Sequence, residues 1–258
     1  MIRRQAIAVL LGSLQRLLNP SDGAALLLDI RTLQLISTNK NLLTNKILLP
    51  PGSTLKPFTL AALSNAGKLS PEAEFACPGT LTLAGRRMNC SHPRTLAPMR
   101  IETALAYSCN NFVAHQAARL APGELASLLQ PYGFTVHPIT SERQQLQAIG
   151  EDSVTITPEG LLRAYRQLAL QVTEPVLKGL EGAVEFGTGQ RAKVAWAKVA
   201  GKTGSTHATG QFIAWFAGFA PSRAPEVAVL VMLSGKHGGS DAAPLAAEIL
   251  NEWHAKRA

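Results

Sequence analysis

The spacing of apolar residues changes twice along the chain and divides it into three stretches. Near the start, two short apolar runs, 24–28 and 33–37, flank a tight polar connection, and this pattern predicts an antiparallel hairpin. Towards the end, three longer runs with β-branched and aromatic residues predict strands over 199–206, 211–220 and 226–233. Between these two regions, apolar positions recur every three or four residues, which is the spacing of a buried helix face.

Helix start and stop residues bound the predicted helices, such as Thr157 before Pro158 and Gly67 after an apolar run. The predicted helices cover 53–67, 100–108, 111–120, 123–130, 157–170, 174–186 and 242–253. The stretch 69–100 is rich in Pro, Gly and Thr, and we expect an irregular insertion there.

Two early strands and three late ones predict an α+β fold. We expect one mainly antiparallel sheet formed by both chain ends, flanked by N- and C-terminal helices, with a helical lobe inserted into it. A single domain over 1–258 is predicted, with a sheet lobe at about 1–58 and 190–258 and a helical lobe at about 59–189.

The first residues allow two interpretations. A basic start and an apolar run over 6–14 resemble a signal peptide, but no small-residue cleavage site follows. Six apolar residues share one helical stripe, and they are Ile7, Leu10, Leu11, Leu14, Leu17 and Leu18. We therefore expect a packed amphipathic helix, and no run is long enough to span a bilayer. If the protein works outside the cytoplasm, we expect its export or anchoring segment to lie outside this sequence.

Composition narrows the class of protein. Hydrophobic residues make up 46% and charged residues 16%, which excludes a disordered chain. The net charge of +8 favours an anionic neighbourhood: nucleic acid, a membrane surface or an acidic cell-wall polymer. The basic cluster around Arg86, Arg87 and Arg94 lacks the interleaved aromatics that stack bases, so nucleic acid is not an expected partner.

Two of the three cysteines, Cys77 and Cys90, lie in the predicted insertion close to His92. These residues lack the paired short spacing of a zinc ligand set, so we expect no metal site and no cofactor. A disulfide and two unpaired buried thiols both stay open for Cys77 and Cys90, because the choice depends on the redox compartment.

A serine and a lysine lie three residues apart where the helix after Pro50 begins, and residues at this spacing share a helix face. A serine hydroxyl needs a base within hydrogen-bond reach to act as a nucleophile. Lys56 can serve Ser53 if burial and cationic neighbours lower its pKa. Taken alone, the pair also fits a helix cap beside a solvated charge.

Two further motifs carry polar side chains. Ser108 and Asn110 lie at a break between predicted helices, with a hydroxyl able to relay a proton and an amide able to hold a substrate carbonyl. The run 202–205, Lys-Thr-Gly-Ser, lies on a predicted strand, where its glycine indicates a close backbone approach, such as that of a substrate strand. Each motif alone also fits an ordinary helix break or an edge-strand turn.

Together the three motifs resemble the signature of penicillin-binding proteins, S-x-x-K followed by a Ser-x-Asn-type motif and K-T-G, in the same order. The similarity continues through Gly187-Thr188-Gly189 and the runs 199–206 and 215–221, so it covers nearly the whole chain. The sequence thus resembles the penicillin-binding transpeptidases, and the resemblance implies a β-lactamase/transpeptidase-like fold.

The resemblance implies acyl transfer through a serine ester. Ser53 is expected to attack the carbonyl between the two terminal D-alanines of a peptidoglycan stem peptide, with Lys56 taking its proton. Ser108, expected between Lys56 and Lys202, would pass that proton to the leaving D-alanine. A β-lactam antibiotic imitates the same peptide end and would acylate Ser53.

The resemblance also implies the substrate contacts. Lys202, Thr203 and Ser205 are expected to hold the substrate carboxylate, with Gly204 leaving room for the peptide, while Asn110 orients the peptide amide. Backbone N–H groups of Ser53 and Ser205 would form the oxyanion hole. Cys109, between two of the motif residues, is expected to pack in the core with its thiol directed away from the site.

Other functions remain open at this point. A D,D-carboxypeptidase would use water in place of the acceptor amine, and a β-lactamase would need a deacylating glutamate, for which Glu151 and Glu159 are poorly placed. A β-lactam sensor or wall-binding partner protein without turnover is the alternative outside the enzymes. The resemblance further implies an extracytoplasmic location, and other cell-wall synthesis proteins are candidate partners. We expect this sequence to correspond to a minimal or isolated transpeptidase unit, without the long N-terminal domain common in the family.

Overall fold

The computed structural model describes residues 23–37, 47–93, 96, 98–137, 139, 141–208 and 210–257. The predicted N-terminal helix lies outside these residues. Among the helices of the described part, none is long and apolar enough to cross a bilayer.

Strands and helices of the described residues are numbered here in chain order. The strands are β1 (Gly23–Asp29), β2 (Leu35–Ser37), β3 (Thr80–Leu83), β4 (Arg86–Asn89), β5 (Thr135–Val136), β6 (Val154–Thr155), β7 (Ala200–Ala208), β8 (Gln211–Ala220) and β9 (Val227–Ser234). The helices are α1 (Lys56–Asn65), α2 (Ile101–Ala106), α3 (Asn110–Ala117), α4 (Glu124–Leu129), α5 (Ser141–Ala148), α6 (Pro158–Gln171), α7 (Val176–Glu185) and α8 (Ala243–Ala255).

Both ends of the described chain contribute to one five-stranded sheet in the order β2-β1-β9-β8-β7. Neighbouring strands are antiparallel throughout. The helices α1 to α7 come between β2 and β7 in the chain, so the predicted α+β fold with an inserted helical region is confirmed. The strand β7 lies at an edge, and no described strand pairs with its outer side.

The sheet is buried on both faces, which explains why its strands read as continuous apolar runs. In β1, Leu26 and Leu28 pack in the core shared with the inserted helices, whereas Ala25 and Leu27 pack on the other face. That second face is covered by α8 through Ile249 and other apolar residues. Burying both faces removes the alternation that a half-exposed sheet would show.

The stretch 69–100 is not wholly irregular, because β3 and β4 form an antiparallel hairpin within it. Its turn residues Ala84 and Gly85 both have positive φ, 47° and 74°, the conformation of a tight hairpin turn. Alanine at the first turn position is a weak hairpin signal, since asparagine, aspartate and glycine favour this conformation. The sequence-based prediction missed the hairpin for that reason.

Helix α5 was also missed. Its sequence, SERQQLQA, is mostly polar and carries few apolar positions from which to read a helical period. Buried glutamines hold it instead: Gln144 donates to the Leu120 carbonyl, and Gln147 donates to the carbonyls of His137 and Ser153.

All three cysteines are free thiols. The Sγ atoms of Cys77 and Cys90 are 3.8 Å apart, far beyond the disulfide bond length of about 2.05 Å. Of the two alternatives left open by the sequence, the structure has the unbonded thiols. Cys109 is buried in the core as expected, but its thiol contacts the other two.

Candidate active site

The turn that carries Ser53 is a 3-10 helix over Gly52–Leu55, and α1 follows it at Lys56. The Lys56 N–H donates to the Ser53 carbonyl, and Pro57 suits the first turn of α1, where its missing N–H has no helical partner to lose. The turn is therefore continuous with the helix, and Ser53 lies half-buried at its beginning.

Contacts from a distant part of the chain hold this turn. Gly52 and Gly150 both have positive φ, 54° and 85°, and the Gly52 N–H donates to the Gly150 carbonyl at 3.2 Å. A Cβ atom on Gly150 would lie 2.0 Å from the Gly52 carbonyl oxygen, so only glycine permits this approach. The buried Tyr165 hydroxyl donates to the Thr54 carbonyl at 2.9 Å. Sequence reasoning missed Gly150 and Tyr165, because neither lies in a local motif.

Lys56 is fully buried, and its ammonium group has three acceptors. Nζ donates to the Ser108 carbonyl at 2.7 Å, to Ser108 Oγ at 3.1 Å and to Asn110 Oδ1 at 2.5 Å. An unpaired buried charge would be very costly, and these contacts supply the partners that it needs. The structure thus brings Lys56 together with Ser108 and Asn110, which lie 52 and 54 residues later in the chain.

The backbone at Ser108 is in the left-handed region, with φ of 59°. This conformation costs a non-glycine residue about 1–2 kcal/mol. It accompanies an arrangement in which the carbonyl and the hydroxyl of Ser108 both contact Lys56 Nζ. Backbone strain of this kind tends to persist where a site depends on it.

The edge strand β7 packs directly against the Ser53 turn at Gly204. A Cβ atom there would lie 2.9 Å from Thr54 Cγ2 and 3.0 Å from the Pro51 carbonyl oxygen. The close approach predicted for this glycine therefore exists, and it is made by the protein's own turn. A substrate peptide against Gly204 stays a prediction.

Lys202 is also fully buried, and its Nζ donates to the Thr203 carbonyl at 3.0 Å. The neighbouring hydroxyls have partners within the protein: Thr203 Oγ1 donates to Thr188 Oγ1 at 2.8 Å, and Ser205 Oγ accepts from the Gly238 N–H at 3.1 Å. Thr188 belongs to the Gly-Thr-Gly run noted in the sequence. The expected contact between Ser108 and Lys202 stays a prediction.

Burial sets the protonation of the two lysines. Burial lowers the pKa of Lys56 from 10.5 to about 8, against the opposing effect of Cys109, Cys90 and Glu151. Burial, and then the charge of Lys56, lower the pKa of Lys202 well below its ordinary value.

The hydrogen bonds of the two lysine Nζ atoms indicate which lysine carries the positive charge. Lys56 Nζ has three acceptors, whereas Lys202 Nζ donates to the Thr203 carbonyl. Since hydrogen bonds to the charged form stabilise it, the geometry favours the charge on Lys56 in the free protein. Lys202 is then the lysine that loses its proton more readily.

Chemically, the site combines a serine at a helix start, a buried lysine with a lowered pKa and a second buried lysine on an edge strand. A hydroxyl with a base nearby is the requirement for nucleophilic catalysis. An edge strand offers backbone donors and acceptors to an extended peptide. The arrangement therefore suits acyl transfer on a peptide.

A family model described as the penicillin binding protein transpeptidase domain matches residues 17–251. The peptidoglycan D,D-transpeptidase PbpA of Mycobacterium tuberculosis is 25% identical over 270 residues, an alignment that covers 78% of this chain and 54% of PbpA. The chain thus spans about half the length of the curated relatives that it matches over most of its own length.

Solved structures of the same class share the fold. The transpeptidase domain of Burkholderia pseudomallei penicillin-binding protein 3 superposes with a TM-score of 0.81 at 19% identity, covering 97% of this chain and 93% of that one. Pseudomonas aeruginosa PBP2, in complex with WCK 5153, superposes with a TM-score of 0.78 at 19% identity, covering 96% of this chain and 74% of that one. The family match, over nearly the whole chain and on this fold, shows that the chain belongs to the penicillin-binding protein transpeptidase domain family.

Proposed function

We propose that the protein is a serine D,D-transpeptidase that forms an acyl-enzyme on Ser53 with the D-alanyl-D-alanine end of a peptidoglycan stem peptide. The observation that carries this proposal is the buried Lys56, three residues after Ser53 on a helix start, with acceptors from Ser108 and Asn110. Membership of the transpeptidase domain family and the named activity of PbpA support the same reaction.

In the first half-reaction, Ser53 Oγ attacks the carbonyl between the two D-alanines. A C–O bond forms, the amide C–N bond breaks, and the terminal D-alanine leaves as an amine. The serine proton goes to Lys56, and Ser108 Oγ, 3.1 Å from Lys56 Nζ, is placed to pass a proton to the leaving nitrogen. In the second half-reaction, an acceptor amine attacks the ester and releases Ser53.

The oxyanion that forms during both attacks needs donors that are already in place. The backbone N–H groups of Ser53, on the 3-10 turn, and Ser205, on β7, are the proposed donors. Each donor of this kind contributes about 3 kcal/mol to transition-state stabilisation in hydrolases studied by mutation. The packing of Gly204 against Thr54 and Pro51 supports this role, because it keeps the turn and the strand at a constant separation.

Substrate binding is proposed to move positive charge between the two lysines. A terminal carboxylate held by Lys202, Thr203 and Ser205 favours the ammonium form of Lys202. Because the two lysine charges repel, protonation of Lys202 lowers the pKa of Lys56 further. Binding of the correct peptide end would thus prepare Lys56 to accept the serine proton.

The outer edge of β7, which pairs with no strand of the described residues, is the proposed place for the extended stem peptide, which would add to the sheet by backbone hydrogen bonds. Asn110 has its Oδ1 on Lys56, and its amide nitrogen is proposed to meet the peptide carbonyl. β-Lactams would enter the same site and acylate Ser53. The proposed substrate is part of the cell wall, so we propose an extracytoplasmic location.

The proposal is tested by incubating the protein with a donor stem peptide and a D-amino acid acceptor, and then separating products by mass. Exchange of the terminal residue is the expected result, whereas hydrolysis alone would identify a D,D-carboxypeptidase. Ser53→Ala should abolish both products. Ser64→Ala, on the same α1 helix, is the matched control and should keep them. No product from the wild-type protein would refute the proposed activity.

A further inference from the structure

Four metal-binding side chains meet beside the candidate active site: Cys77, Cys90, Cys109 and His92. One ligand atom from each lies within 4.8 Å of all the others. The three Sγ–Sγ distances are 3.8, 3.8 and 3.6 Å. Zinc binds thiolate at about 2.3 Å with tetrahedral angles, which puts two sulfur ligands about 3.8 Å apart. The sulfur triangle therefore has the dimensions of a tetrahedral zinc site.

His92 is arranged as a fourth ligand. Its Nδ1 lies 3.2 Å from the Pro93 carbonyl, and because a carbonyl can only accept, this contact puts the ring hydrogen on Nδ1. The Nε2 atom is buried and has no hydrogen-bond partner in the described structure. A ring held through one nitrogen with a free lone pair on the other is the usual arrangement of a zinc-bound histidine.

Each sulfur atom also accepts an N–H hydrogen bond. The donors are the Gly79 N–H to Cys77 at 3.4 Å, the Asn111 side-chain amide to Cys90 at 3.1 Å and the Phe112 N–H to Cys109 at 3.4 Å. Such donors stabilise thiolates and orient metal ligands.

The ligands come from two parts of the chain. Cys77, Cys90 and His92 flank the β3–β4 hairpin, and the Cys90 N–H donates to the Gly79 carbonyl, so the antiparallel pairing brings its two sides together. Cys109 is the N-cap of α3 and lies between Ser108 and Asn110, the two residues that contact Lys56.

We propose that Cys77, Cys90, Cys109 and His92 bind one zinc ion, which fastens the hairpin to the loop that presents Ser108 and Asn110 to Lys56. Binding releases one proton from each thiol and leaves a centre with three thiolates and one neutral imidazole. The metal has a structural role, and it touches neither the substrate nor the reacting atoms. The site revises the expectation of no metal, because the hairpin supplies a spacing that the linear sequence does not display.

The direct test is metal binding by the full chain, purified with a reductant and stripped with a chelator. Titration with Co²⁺ should give one equivalent bound, with the absorption of a tetrahedral thiolate site, and Zn²⁺ should remove that absorption. Cys90→Ser and His92→Gln should weaken Co²⁺ binding by more than the roughly 10–100-fold typical of outer-shell changes. His137→Gln, an exposed histidine outside the cluster, is the matched control and should bind normally.

A second measurement does not depend on a variant folding. Zn²⁺ should protect all three cysteines of the wild-type protein from alkylation, and chelation should expose them, as read by peptide mass mapping. Equal alkylation with and without Zn²⁺ would overturn the proposal. So would an unchanged cobalt spectrum in Cys90→Ser, or a Cys77–Cys90 disulfide in protein purified without added oxidant. None of these readouts depends on transpeptidase activity.

Discussion

The substitution Gly150→Ala should damage the site from a position outside every recognised motif. The added Cβ would lie 2.0 Å from the Gly52 carbonyl oxygen, and ordinary contact begins at 3.4 Å, so the two backbones must separate by about 1.4 Å. Gly52 immediately precedes Ser53, and the movement would displace the 3-10 turn. Displacements of about 1 Å at a reacting group can lower rates by about a hundredfold.

Gly133→Ala is a matched control. Gly133 has φ of 82°, close to the 85° of Gly150, but a Cβ atom there would meet open space. Both variants bear the left-handed cost of about 1–2 kcal/mol. Only Gly150→Ala also overpacks its surroundings, which should destabilise the protein by about 1–3 kcal/mol more.

Urea unfolding and the rate of labelling by a fluorescent penicillin measure the two effects. We expect Gly133→Ala to lose about 1–2 kcal/mol and to label at the wild-type rate. Gly150→Ala should lose more stability and label far more slowly. If the two variants unfold alike and both label normally, then Gly150 does not hold the Ser53 turn.

Two further predictions concern Lys56 and Tyr165. If neutral Lys56 takes the Ser53 proton, its pKa of about 8 means that the acylation rate should rise about tenfold from pH 6 to pH 7 and level off above about pH 8. Stopped-flow measurements of the acylation rate test this, and a rate that does not change with pH below pH 8 would remove Lys56 from that role. Tyr165→Phe removes the hydrogen bond from the tyrosine hydroxyl to the buried Thr54 carbonyl and should cost about 1–3 kcal/mol in urea unfolding. Tyr132→Phe, whose ring packs on the same Phe58, is its control, and an equal loss in both variants would contradict the contribution of the hydroxyl contact.

Much of the fold could be predicted because short stretches of the sequence show the apolar pattern of the element that they form. The strand 211–220 was predicted with the bounds that the structure has, and the spacing of Leu245, Ile249 and Trp253 predicted α8. The strand leaves a continuous apolar run in the sequence and the helix leaves an apolar residue every four positions, and both are strong local signals. The hairpin and α5 lack that signal, because an alanine-glycine turn and buried glutamines define them.

The residues of the candidate site likewise fall into those that a local motif predicts and those that only tertiary packing brings to the site. Ser53, Lys56 and the two other motifs could be found because each is a short local pattern. The contacts of Gly150 and Tyr165 with the Ser53 turn depend on tertiary packing, and no pattern within a few residues reports them. The cysteine cluster was missed because strand register, which the turn did not reveal, brings Cys77 and Cys90 together.

The most direct measurement of the central claim is intact-mass spectrometry after incubation with a penicillin, followed by peptide mapping. We predict one covalent adduct per chain, located on Ser53, and none in the Ser53→Ala variant that retains its fold by circular dichroism. Absence of an adduct on the folded wild-type protein, or an unchanged adduct in Ser53→Ala, would contradict it.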